Sequence, residues 1–326
     1  MADPNLSQMT SATFEDVTKV VYDNFTNNNP LLGELKKKGN ITEDYTGGEY
    51  IRQTLAYAEN STYTHYRGAE RLNISEVSIL SAAKFDIKQV ALSVTMNGLE
   101  EVMNAGEAKL IDLFQTKSMV LKGTFENNFE TDLFSAGTAS GGKQIGGLQS
   151  LVADTPTSGT VGGISAVNYT WWRNVSYDAS TDGGAAASSV NIKTYLDAVM
   201  RQVRRGQDLP DFLIADNNYY AFYESYLSGL QQIVDGGSGK SQGSGADELT
   251  YKGRRFVLGG GRNGSVPADH VYFLNTDYIK LKEAKGRKLK MREAVKAIDQ
   301  DAEVSLALWA GNLVLPNRFV HAVLKA

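Results

Sequence analysis

Cysteine is absent from this chain of 326 residues, and histidine and proline are scarce. Zero Cys excludes disulfide staples, iron–sulfur clusters, cysteine-ligated zinc and thiol catalysis. The three histidines, His65, His270 and His321, leave little material for an imidazole metal site. The six prolines stand at 4, 30, 156, 210, 267 and 316, so none interrupts the chain between Pro30 and Pro156. No segment approaches the ~18–20 unbroken apolar residues of a membrane span. The start, Met1-Ala2-Asp3-Pro4-Asn5, has neither the basic nor the apolar region of a secretory signal, so folding in a cytosol is expected. A formal charge of −4 lacks the basic excess of a dedicated nucleic-acid binder.

What is present is a 42% hydrophobic share, enough for a real core, and 32 glycines. Residues 13–27 read as a short amphipathic helix, with Phe14, Val17, Val21 and Phe25 in phase and Thr13/Asp16 as its cap pair. Pro30 opens a second short helix that Gly39 closes. Residues 48–58 alternate, with Ile51, Leu55 and Tyr57 on one face. Residues 85–96 alternate too, with a phase slip between Ile87 and Val90 that predicts a bulge. The two runs are expected to pair as the legs of a long β-arm, which would be marginal alone in water and needs a surface to lie on. Asn104–Ala136 is the strongest helix: Asn104 and Glu107 form a capping start and Gly137 a left-handed stop. Its stripe is Leu110, Phe114, Leu121, Phe125, Phe129 and Leu133. At about 1.5 Å per residue it is a rod of roughly 48 Å.

Beyond it comes glycine-rich text to Gly184, then a helix over Asn191–Arg205 and a buried strand at Phe212–Ala215. A third helix, capped by Asp216, is followed by a hairpin about Gly253 and closing strands from Val271 to Leu324. The class is α+β.

The motifs that look chemical have plainer readings. Gly259-Gly260-Gly261-Arg262-Asn263-Gly264 satisfies G-x-G-x-x-G, but a strand follows where a dinucleotide site needs a helix. Gly239-Lys240-Ser241-Gln242-Gly243 imitates both a phosphate loop and a serine elbow, yet sits in soft glycine text with no helix after it. Asp269-His270 and His321 could be offered as triad partners for Ser241, but a satisfied structural histidine is the better reading of His270 and of His321. Asp299, Asp301 and Glu303 alternate without the glycine and distant Glu of a calcium loop. Lys280, Lys282, Lys285, Arg287, Lys288, Lys290, Arg292 and Lys296 form a basic run without the aromatics that stack on bases. A charged strand pair or subunit contact is the favoured reading. No catalytic residue, metal ligand or cofactor site emerges.

The order of parts is an N-terminal arm, a β-arm, a long helix and a glycine-looped α/β region. Local text adds Asn29-Pro30-Leu31-Leu32 with Lys38-Gly39, then Gly47-Gly48 with Ile51, Leu55, Tyr57 and Asn60. Further on come Gly146-Gly147-Leu148, Gly159–Ile164, Trp172-Arg173-Asn174, Phe273–Thr276 and Gly311-Asn312-Leu313. Together these resemble the major capsid protein family of tailed bacteriophages, with the HK97-type (Hong Kong 97) shell fold.

The resemblance implies an N-terminal arm at 1–46, an extended β-loop (E-loop) at 47–97, and a peripheral (P) domain with spine helix at 98–144. It implies an axial (A) domain at 145–270 and a return to the peripheral domain at 271–326. It further implies a structural, non-enzymatic protein that assembles as hexamers and pentamers into an icosahedral shell enclosing double-stranded DNA. Assembly would take place in the host cytoplasm and the product would be a virion capsid. Implied partners are copies of itself, a separate scaffolding protein, a portal and non-specifically contacted DNA, with no membrane. Tyr63, His65, Tyr66, Arg67, Glu70 and Arg71 of the β-arm are the expected intersubunit contacts. An encapsulin-like compartment shell is the second reading, and a hydrolase using Ser241 the third.

Overall fold

The computed structural model describes residues 30–103, 113–234, 249–259, 264–296 and 300–326. The expected helix over 13–27, the Asn104/Glu107 start of the long helix and the loop carrying Ser241 lie outside these residues. The helices that organise the fold are α1 (Pro30–Lys38), α2 (Gly98–Met103), α3 (Leu113–Leu133), α4 (Ile192–Val203) and α5 (Asn217–Val234). The strands are β1 (Ile41–Tyr45), β2 (Tyr50–Ala56), β3 (Leu80–Asp86), β4 (Lys88–Asn97), β5 (Thr160–Val161), β6 (Ile164–Ser165), β7 (Val175–Asp178) and β8 (Phe212–Ala215). They continue with β9 (Leu249–Tyr251), β10 (Arg254–Leu258), β11 (His270–Leu274), β12 (Lys280–Ala284), β13 (Lys290–Met291), β14 (Val295–Lys296), β15 (Ala302–Val314) and β16 (Ala322–Lys325).

Strand β15 organises one six-stranded sheet. It pairs antiparallel with β4 from Ala302↔Asn97 to Gly311↔Lys88, and along its other edge with β12, β13 and β14. β1 adds to β12 in parallel. The period of two puts Ser305, Ala307 and Trp309 on one face with Val90, Leu92 and Val94. Helix α3 covers that face. Leu121 packs with Val94 and Ala307, and the Phe129 ring meets Trp309 edge-on at 4.8 Å and stacks on Phe125 at 5.0 Å. Trp309 Nε1 donates to the buried Glu283 carboxylate at 2.7 Å, which gives the indole its polar partner.

The second sheet has the order β7-β16-β11-β8-β10-β9. Every residue of β8 is buried, as its unbroken apolar text predicts. Helix α4 lays Ile192, Tyr195, Leu196, Val199 and Val203 on this sheet's core, the stripe expected from the sequence. Asp216 accepts the Tyr219 N–H at 3.0 Å and so caps α5, also as expected. β9 and β10 form the hairpin about Gly253.

Three expectations need correction. First, the phase slip after Ile87 is a break between sheets, not a bulge. The arm's second leg is β3, which pairs with β2 from Tyr50↔Asp86 to Ala56↔Leu80, whereas 88–97 joins β15. Asn312 Nδ2 holds the junction by donating to the Asp86 carbonyl at 2.7 Å. Alternation shows which face of a strand is apolar, not which strand it joins. Second, α3 ends at Leu133, before Gly137. Gly137 is left-handed (φ 73°), but what requires glycine there is a crossing: a Cβ would lie 2.9 Å from Gly146 Cα. Third, residues 271–326 are not one unit. β11 and β16 close the second sheet while β12–β15 belong to the first.

Phe129→Ala should cost about 3–5 kcal/mol of stability, whereas Val120→Ala, on a residue 43% exposed, should change it by less than about 0.5 kcal/mol. Chemical denaturation of the two variants checks this; equal losses would contradict the packing.

Candidate assembly surfaces

The β2–β3 arm has a buried root and a bare tip. Ile51, Leu55, Ala83 and Phe85 are at most 6% exposed. Lys84 N–H donates to the Gly162 carbonyl at 2.9 Å, and Tyr57 stacks on Trp171 at 5.4 Å. From Ala58 to Ile79 the chain joins no strand. Tyr57 OH donates to Ser78 Oγ at 3.3 Å across the base of this stretch, and within it Asn60 Oδ1 accepts from Thr62 N, Glu70 Oε2 from Arg67 N and Asn73 Oδ1 from Ser75 N, at 3.0–3.2 Å. The six residues expected as contacts all lie on this tip and are exposed, Tyr63 to 81% and Tyr66 to 65%; Tyr63 and His65 meet edge-on at 5.2 Å. Sequence reasoning missed Leu72 and Ile74, the latter 92% exposed. Their spacing of two was the available signal.

A second surface is the face of the β15 sheet turned away from α3. Leu306 there is 41% exposed, with Ser93 beside it in register; Lys290 stands beside Leu308. The basic run follows this edge. Lys288 lies 3.7 Å from Glu43 and 3.6 Å from Glu283, and Lys296 lies 3.9 Å from Glu303. Arg287, Lys290 and Arg292 line a concavity of about 500 Å³ with Met291, Glu293 and Leu308. These cations border a sheet surface, in keeping with the charged-strand reading.

The imitation motifs come apart in space. No helix follows Gly264; the chain runs to β11. Asp269 accepts from Asn218 Nδ2 at 2.8 Å rather than orienting His270. His270 instead sets Nε2 3.2 Å from Asp154 Oδ2 and Nδ1 2.6 Å from the Ala268 carbonyl. His321 is fully buried with Nε2 3.1 Å from the Asn275 carbonyl, and burial pushes its pKa down to about 4, so it is neutral. Asp299 lies outside the described residues, and Glu303 faces a lysine. Among the described residues, no three His, Asp or Glu side chains gather as metal ligands.

No protein-family model and no curated protein matches the sequence. Solved structures do match over nearly the whole chain. The capsid asymmetric unit of cyanophage A-1(L) aligns with a TM-score of 0.66 at 14% identity, covering 97% of each chain. The chain has the fold of phage capsid subunits. The same fold reaches the holo-SrpI encapsulin complex of Synechococcus elongatus PCC 7942, with a TM-score of 0.60 at 12% identity, covering 100% of this chain and 95% of that one. It also reaches the capsid of a native GTA particle, with a TM-score of 0.58 at 8% identity and coverage of 100% and 99%. The resemblance to HK97-type shells therefore holds as a matter of fold. These relatives are shell proteins, and no catalytic family is indicated.

Burial pulls the His270 pKa down, but Asp154 and the Ala268 carbonyl outweigh it and hold the imidazole above its usual value. The stabilisation is present in full below the unfolded pKa of about 6.5 and is lost as pH rises through the folded value. Asp154→Asn should remove it. The wild-type advantage at pH 6, roughly 0.2–1 kcal/mol for a partly screened pair, should shrink by pH 8.5 in denaturation curves. An advantage that does not change with pH would contradict the pairing.

Proposed function

We propose that this chain is the major capsid protein of a tailed bacteriophage. Hexamers and pentamers of it tile an icosahedral shell around double-stranded DNA. The observation that carries the proposal is the arm. Its root is packed as firmly as a core, while its tip presents Tyr63, Tyr66, Leu72 and Ile74 to water. Isolated exposed apolar residues are ordinary, but a run of them on one extended element marks an interaction site. A neighbouring copy supplies the cover. Tyr63, His65, Tyr66, Arg67, Glu70 and Arg71 then lie in the intersubunit contact. Such contacts are individually modest and hold through repetition around a closed assembly.

On this reading the residues before β1 are the N-terminal arm and the β2–β3 ribbon is the E-loop. α3 is the spine helix of the peripheral domain, together with the β15 sheet. The sheet built on β8, with α4 and α5, is the axial domain. A separate scaffolding protein, a portal and non-specific contact with packaged DNA complete the partners, and assembly takes place in the host cytoplasm. The encapsulin match supports a second reading, a compartment shell around protein cargo.

Deleting Ser61–Ser78 should leave a folded, monodisperse subunit that forms no shells in negative-stain micrographs. Normal shells from that variant would overturn the arm's role. Nuclease-protected DNA in native particles selects the virion; co-purified enzyme without DNA selects the compartment.

A further inference from the structure

Helix α1 is held to three parts of the molecule by charge. Lys36 pairs with Glu126 of α3 at 2.8 Å, Glu34 pairs with Arg255 of β10, and Lys38 reaches Asp211 and Asp277. Beneath them Leu31, Leu32 and Leu35 are at most 4% exposed. The start of the helix is held differently. Glu130 of α3, only 2% exposed, accepts the backbone N–H of Leu31 on one carboxyl oxygen and that of Leu32 on the other, both at 3.2 Å. These are two of the donors that any helix start leaves without a partner in the helix. Among the described residues, Glu130 makes no salt bridge.

We propose that Glu130 is a proton-operated latch, which holds α1 on the long helix more tightly when it is protonated than when it is ionised. A carboxylic acid keeps lone pairs on both oxygens, so it can accept both N–H groups while shedding the cost of a buried charge. Among the described residues no cation pairs directly with Glu130, and Lys36, whose charge does act on it, is drawn towards another carboxylate. On α1, Lys36 is engaged by Glu126 and Glu34 by Arg255; on α3, Asp132 is held by Gln144 at 2.7 Å. Burial raises the Glu130 pKa to about 7, against the downward pull of the two N–H groups and of Lys36. When α1 lifts away, the carboxyl meets water and returns to the ordinary range near 4.5. Docking therefore takes up a proton, and its equilibrium weakens as pH rises from that range through 7. The latch is a property of the subunit and does not rest on the shell reading.

The test is hydrogen exchange of the Leu31 and Leu32 amides in the full-length protein, corrected for the pH dependence of intrinsic exchange. Protection should be roughly 30-fold greater at pH 5.5 than at pH 8, from the two pKa values. Glu130→Gln keeps one acceptor oxygen and never ionises, so it should lose this dependence, while its NH2 group, set against the other backbone N–H, lowers protection alike at both pH values. Wild-type protection that is flat or rises with pH overturns the proposal without reference to any variant. So does a folded Glu130→Gln protein that keeps the 30-fold change.

Discussion

Trp309 is the contact on which the arrangement of the other parts depends. It lies on the strand that pairs with β4, β12, β13 and β14, and it receives the edge of Phe129 from α3. Burying aromatic side chains there offsets the cost of ordering a long helix across a sheet. The hydrogen bond to Glu283 fixes the indole's orientation and with it the angle at which α3 can lie. From that crossing β4 leads back to the arm root, and α3 runs up to Glu130 and the start of α1. The sheet face opposite α3 is open around Leu306, which is 41% exposed, and closes again towards Ala310, Asn312 and Val314. The structure thus has a firm interior with extensions projecting from it.

The arm shows what such an extension lacks. A two-stranded ribbon has one buried face at most and stays marginal unless something packs against it. Here the fold supplies packing for the root, through Ile51, Leu55, Ala83 and Phe85, and none for the tip. The asymmetry suits a part that is finished by another molecule.

Much of the fold was legible in the sequence because its signals are local. The stripe of α4, the apolar run of β8, the Asp216 cap and the Gly253 hairpin each depend on residues a few positions apart. At the candidate site, the sequence pointed to Tyr63–Arg71, which stand exposed on the tip, and not to Leu72 and Ile74, which stand exposed beside them. What stayed hidden was long-range. Nothing near Lys88 tells that it pairs with Gly311, or that β16 crosses to the second sheet. Arg318 reads as an ordinary surface cation, yet it is 1% exposed. It ties the glycine-rich region to the C-terminal segment by donating to the Leu151 and Trp172 carbonyls and to Asn174. Glu130 is equally unremarkable in sequence, since its partners are backbone groups almost a hundred residues earlier.

The central claim is that the arm tip is completed by a neighbouring copy. Hydrogen exchange measured by mass spectrometry on residues 58–79, in assembled particles and in dissociated subunits, tests it most directly. The account predicts fast exchange of the tip in free subunits and marked protection in particles, while β8 is protected in both. A tip that exchanges equally fast in both states, or is already protected in free subunits, would contradict it.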